Sequence, residues 1–131
     1  MLEAVTQCNI TWLHRHPETP LLYKSHVRYE PEEGEIFQDI PTTLRKGHGD
    51  CDCLSTYRCA ELRKAGINCR PYIKWRKNME ECSKEKRSWR DNDGWIYHAL
   101  VWWPGNRIED PSVALGMHGV MHRKPMFVSP E

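Results

Sequence analysis

Gly49-Asp50-Cys51-Asp52-Cys53-Leu54-Ser55 is the stretch whose reading decides the fold. Asp50 is a good N-cap, so the helix it opens carries Cys51 at its first position. The helix is expected to run to Lys64, where Ala65-Gly66 supplies a small residue and a flexible stop. At a helix start the unpaired N–H groups and the positive end of the dipole favour a thiolate over a thiol. Cys51 is therefore a candidate nucleophile, and its own backbone N–H points where an oxyanion would form. The rest of the chain can be read as supplying a base, an orienting acid and a substrate groove.

On the helix, Cys51, Ser55, Cys59 and Leu62 share a face, flanked by Leu54 and Ala65, and the small residues at 55 and 59 let a sheet approach closely. Arg58 points roughly the same way and needs a buried acidic partner or a place at the rim. The opposite face, Cys53, Tyr57, Ala60 and Lys64, reads as the mostly solvated side. After Gly66, Cys69, Pro71, Ile73 and Trp75 alternate with Arg70, Tyr72, Lys74 and Arg76 as a strand. Lys77 to Asp93 is strongly charged without a sustained period and reads as a long loop, with room for one helical turn. Trp95 to Trp103 is the strongest strand pattern, with Ile96, His98, Leu100 and Trp102 on one face. Pro104-Gly105-Asn106 then turns the chain into a partner strand beginning Arg107-Ile108-Glu109-Asp110.

Upstream, Ile10–Leu13 and Leu21–Tyr23 are short apolar runs, each compatible with an edge strand or a turn of helix, split by a loop over 14–20. Residues 30–35 form an acidic turn, Ile36–Pro41 re-enters the protein, and Thr42–Gly47 leads to the central helix. The tail from Val113 reads as irregular wrapping. No repeats occur, and 131 residues are expected to form a single domain, 1–131.

A net charge of +1 and a pI near 7.7 give no electrostatic argument for nucleic acid or an anionic membrane. No apolar run approaches the roughly 20 residues of a membrane helix. Met1–Ile10 lacks the features of a signal peptide. The six cysteines, at 8, 51, 53, 59, 69 and 82, are accordingly expected to stay reduced. Six tryptophans and five tyrosines against two phenylalanines suggest amphipathic aromatic walls to a core or groove.

Three elements thus carry one polar group each: Cys51 at a helix start, His98 inside an apolar strand, Asp110 on the strand paired with it. A thiol needs a base to ionise it, and an imidazole needs a carboxylate to fix its tautomer and steady its charge. The order Cys…His…Asp, with steps of 47 and 12 positions, resembles the transglutaminase-like superfamily, relatives of papain-type cysteine proteases. The carrying motifs are Gly49-Asp50-Cys51-Asp52-x-Leu54-Ser55, then Tyr97-His98-Ala99-Leu100-Val101, then Ile108-Glu109-Asp110-Pro111-Ser112.

The resemblance implies an α+β fold, with the nucleophile-bearing helix packed on a small antiparallel sheet. It implies a thioester formed from an amide or peptide and resolved by water or an amine, without a cofactor. Cys51 is then the nucleophile, His98 the general base and acid, and Asp110 the orienter, with Asp50 and Asp52 bracing the helix start. Gln38 and His48 are the candidates for a second oxyanion donor. Cys53 stands where the family commonly has a second acid. The compact length, Ile40-Pro41-Thr42-Thr43-Leu44 and the Asp-Pro-Ser ending resemble small versions encoded by bacteriophages. That implies a protein or peptide substrate, or other phage structural proteins as partners, and a place in the host cytoplasm or the virion.

Competing readings attach to the same residues. Cys51 and His98 are also the kind of residues that fill cores, Asp110 can be a turn residue before Pro111, and Glu109 is the rival acid. His48, Cys51, Cys53 and Cys59 offer zinc-ligand types. Cys-x-Cys entering a helix, however, sets its sulfurs about 160° apart and lacks a second knuckle, so no metal is expected. The tryptophans at 75, 95, 102 and 103 are assigned mainly to the core. His14, His16, His118 and His122 are assigned to the surface. The family fold can also persist as a non-catalytic binding or structural module.

Overall fold

Two aspartates start two of the helices. Asp50 caps α3, Cys51–Lys64, through one carboxylate oxygen that accepts the N–H groups of Asp52 (3.1 Å) and Cys53 (3.2 Å). Asp39 caps α2, Ile40–Lys46, by accepting the N–H of Thr42 at 3.0 Å, with Pro41 in the first turn and Gly47 ending it in the left-handed region at φ 79°. The computed structural model describes residues 1–32, 37–77 and 95–129. Residues 33–35 of the acidic turn, Ile36, Cys82 and nearly all of the charged loop over 77–93 lie outside the described residues.

A third long helix, α1 (Leu2–Arg15), takes the place of the short runs expected near the N-terminus. Its buried residues are Leu2, Thr6, Asn9 and Leu13, a regular 4-3-4 stripe. Half of that stripe is polar, which hides the period. Thr6 returns its hydroxyl to Leu2 O at 2.8 Å, and Asn9 Oδ1 accepts the N–H of Ile40 at 2.9 Å. The stripe thus docks α2 as well as α3. Leu22–Lys24 forms a short 3-10 turn.

The sheet is antiparallel in the order β3 (Arg70–Lys77), β4 (Trp95–Trp103), β5 (Arg107–Glu109) and β6 (Phe127–Val128). β6 lies in the tail expected to be irregular, and two residues are too few to show alternation. Asn106, at φ 58°, and Gly105, at φ 87°, make the turn between β4 and β5. A separate two-stranded pair, β1 (Arg28–Tyr29) and β2 (His48–Gly49), runs parallel. α3 lies on the sheet, as expected: Ser55 donates to Ala99 O at 2.9 Å, and Cys59, Leu62, Cys69 and Val101 form one apolar cluster.

The far side of α3 is a correction. Cys53, Tyr57 and Ala60 are buried, and only Lys64 of the supposed solvated face is exposed. Tyr57 and Ala60 join Leu13 of α1, Leu22 and Tyr23 of the 3-10 turn, and Ala114 and Leu115 at and just beyond a short helix α4 (Pro111–Ala114). The Tyr57 hydroxyl donates to Pro20 O at 2.7 Å. α3 is therefore a central helix, enclosed from Cys51 to Leu62.

Gly49, just before the cap, sits where no side chain fits. A Cβ there would lie 2.7 Å from the Cβ of Cys53 and 3.3 Å from Gln38 Nε2. Gly49→Ala should cost about 1–3 kcal/mol, as overpacking does, read as a lower urea midpoint with unchanged slope.

Candidate active site

Cys51 is fully buried at the first position of α3, packed against Leu2, Ala99 and Phe37. The Asp50 cap engages the N–H groups of Asp52 and Cys53. His98 comes from β4. Pairing of β4 with β5 stops at Val101–Glu109, and the next residue, Asp110, is thereby carried alongside His98. Asp110 Oδ2 meets His98 Nε2 at 2.9 Å, while its Oδ1 accepts the N–H of Val113 at 3.2 Å as the cap of α4. The backbone N–H of Asp110 donates to Met126 O at 2.8 Å. One short side chain thus orients an imidazole and starts a helix.

With Nε2 on the carboxylate, Nδ1 is the ring nitrogen left for the thiol, and Cys51 lies near enough to favour charge on the His98 ring. Burial works against charge on this ring. The hydrogen bond to Asp110, with the attraction of Asp110 and the nearby Cys51, outweighs it, and the imidazole is held up to about 9. His98 therefore keeps its proton through neutrality. By contrast, burial pushes the Cys53 thiol above its ordinary range, Cys59 up to about 12 and Cys69 up to about 11.

The rival acid has other work. Glu109 is fully buried and accepts from Arg58 Nε at 2.7 Å, from Trp103 Nε1 at 2.9 Å and from the Tyr23 hydroxyl. Arg58 also donates to Glu61 at 2.6 Å, so its buried acidic partners are two. Asp52 accepts the Tyr97 hydroxyl at 2.7 Å, tying the helix start to β4.

The two suggested oxyanion donors have other contacts. Gln38 Nε2 lies 3.2 Å from His48 O and 3.4 Å from Thr43 Oγ1, and the Gln38 backbone bonds to Cys53. The His48 ring pairs with Glu30 at 3.4 Å and Glu32 at 3.7 Å. Among the described residues no group of three or more His, Cys, Asp or Glu side chains is placed to hold a metal. No helix among them is long and apolar enough to cross a membrane.

Leu2 and Phe37 border the site without having been singled out, as does Tyr97, named only within the strand motif around His98. Tyr97, beside His98 in the strand, carried the one usable signal. Leu2 and Phe37 arrive from distant segments whose pairing no local pattern reveals. Trp75, assigned to the core, is 56% exposed beside them. His14, His118 and His122 lie on the surface as expected, and His16 is partly covered by stacking on Trp12.

The family model of the transglutaminase-like superfamily matches residues 20–105, a span that includes Cys51 and His98 and ends before Asp110. No curated protein and no solved structure matches the chain.

Proposed function

The chain belongs to the transglutaminase-like superfamily, and on that premise we propose a cysteine-dependent amidase, peptidase or acyl transferase working through Cys51, His98 and Asp110. The observation that carries this reading is the 2.9 Å contact of Asp110 with a partly buried imidazole whose other nitrogen is left for a thiol at a helix start. Cys51 attacks the carbonyl of a peptide or carboxamide, and its backbone N–H and the dipole of α3 stabilise the oxyanion. The imidazolium gives its proton to the departing ammonia or amine, leaving a thioester. Neutral His98 then takes a proton from water or an incoming amine, which releases the acid or the new amide. Asp110 stays ionised and holds Nε2–H throughout.

One observation favours a second reading. Cys51 is fully buried, packed with Leu2, Ala99 and Phe37, which suits a fold kept as a binding or structural module, for instance within a phage particle. Substrate would have to displace that packing for catalysis.

The two readings separate on a protein substrate rich in glutamine and lysine, incubated with a fluorescent primary amine. Acyl transfer incorporates the amine, and hydrolysis releases ammonia or new amino termini. Cys51→Ala should abolish either signal. Absence of both, with the fold intact, would leave the module reading.

A further inference from the structure

A groove of about 450 Å³ adjoins the residues packed against Cys51, and its walls include Leu2, Phe37, Ile73, Trp75, Tyr97 and Asp52. We propose that it is a subsite for a large apolar side chain, aromatic or branched aliphatic, on the peptide that donates the acyl group. This rests on the reading of Cys51 as the acyl-accepting nucleophile.

Continuity with the sulfur is the first support. Leu2 and Phe37 pack against Cys51 and also line the groove. Ile73 stands opposite Ala99, the third neighbour of Cys51, and Trp75 stands opposite Tyr97 with ring centroids 5.5 Å apart. Adjacent strands lie about 4.8 Å apart, so Ile73 stands one strand spacing from Ala99, which itself packs against Cys51.

The chemistry of the walls is the second support. Ile73 is 41% exposed and Trp75 56% exposed on a strand whose free positions would ordinarily be polar. The charged side chains at the rim are already engaged. Glu3 is gripped through both oxygens by Arg63, Asp52 takes the Tyr97 hydroxyl, and the Arg70 guanidinium lies 4.3 Å over the Trp102 ring. Nothing there recommends a charged occupant, whereas an apolar one removes Ile73 and Trp75 from water. The volume falls within the roughly 300–1,000 Å³ of ligand clefts, enough for a large side chain and adjoining backbone. A second cavity, about 300 Å³, is lined by Lys74, His98, Asp110 and His118 and is much more polar. It supplies the contrast.

The test is an NMR titration of the full chain carrying Cys51→Ala with N-acetylphenylalaninamide, N-acetylglycinamide and N-acetyllysinamide. The phenylalanine compound should shift the backbone amides of Ile73, Trp75 and Tyr97 and bind at least tenfold more tightly than the other two. Trp75→Ala, or separately Ile73→Ser, should remove that preference. Equal weak responses to all three, or shifts confined to the Lys74–His98 cavity, would overturn the subsite. Acylation of wild-type chain by phenylalanyl and glycyl nitrophenyl esters distinguishes the two readings. Selective binding without Cys51 acylation retains the subsite and removes the catalysis. Cys51 acylation by both esters at equal rates, without groove shifts, does the reverse.

Discussion

Asp110→Asn is expected to lower turnover about 10³- to 10⁴-fold while leaving the chain folded. An asparagine retains the oxygen that caps α4 at Val113, so the local structure survives. Its amide nitrogen would then face His98 Nε2, where the carboxylate oxygen sits at 2.9 Å. An N–H donor there forces Nε2 to accept and moves the imidazole proton to Nδ1, the nitrogen that must take the thiol proton. The ring also loses the partner that most opposes its burial, so His98 should fall from about 9 toward or below its ordinary value.

The sign of the stability effect follows. A histidine held above its unfolded value stabilises the fold fully below about 6.5, and that contribution fades as pH rises through about 9. Wild type should therefore exceed Asp110→Asn most clearly at pH 6, with the gap closing above pH 9. Urea unfolding across that range checks this, and NMR titration of His98 checks the cause. A variant with unchanged turnover would assign Asp110 to capping alone.

The second large effect lies in the core. Arg58→Met should destabilise the chain by about 3–5 kcal/mol, because it strips the cation from two buried carboxylates. Glu109 is wholly enclosed, and the side chains of Glu61 and Arg58 are only 4% and 10% exposed. Replacing all three by apolar residues is no simple remedy. Glu61 satisfies the N–H of Leu22 at 2.8 Å, and Glu109 satisfies Trp103 and Tyr23, so those donors would be stranded. In Arg58→Met, Glu61 can relieve itself by binding a proton. The deficit should then shrink as pH falls toward the ordinary glutamate range, because burial already raises Glu61 and so favours its protonated form. Urea midpoints at pH 5 and 8 measure it. An equal loss at both would mean that packing, not charge, explains the arginine. Glu109 directly precedes Asp110, so slackness there should also reach the His98 contact.

How legible this was depended on whether a signal was local. Asp50 and Gly66 mark both ends of α3 in the sequence, and the alternation through β3 and β4 marks the sheet beneath it. His98 and Asp110 stood out because each breaks an otherwise apolar or turn-like context. α1 was hidden because Thr6 and Asn9 occupy its buried stripe and satisfy themselves locally or through α2. The missing helix then caused the next error. With no partner in view, Tyr57 and Ala60 looked solvated, although Tyr57 reaches across the core to Pro20. The packing around Cys51 was out of reach for a related reason: Leu2 and Phe37 meet it only after the chain has folded.

The most direct measurement is acid-quenched mass spectrometry of the chain after brief exposure to a peptide nitrophenyl ester, with the label mapped to individual cysteines. Acylation should fall on Cys51, despite its burial, ahead of the exposed Cys8, and His98→Ala should slow it at least 100-fold. Label on Cys8 with Cys51 silent, or acylation of Cys51 at a rate indifferent to His98, would contradict a sulfur activated by a carboxylate-held imidazole.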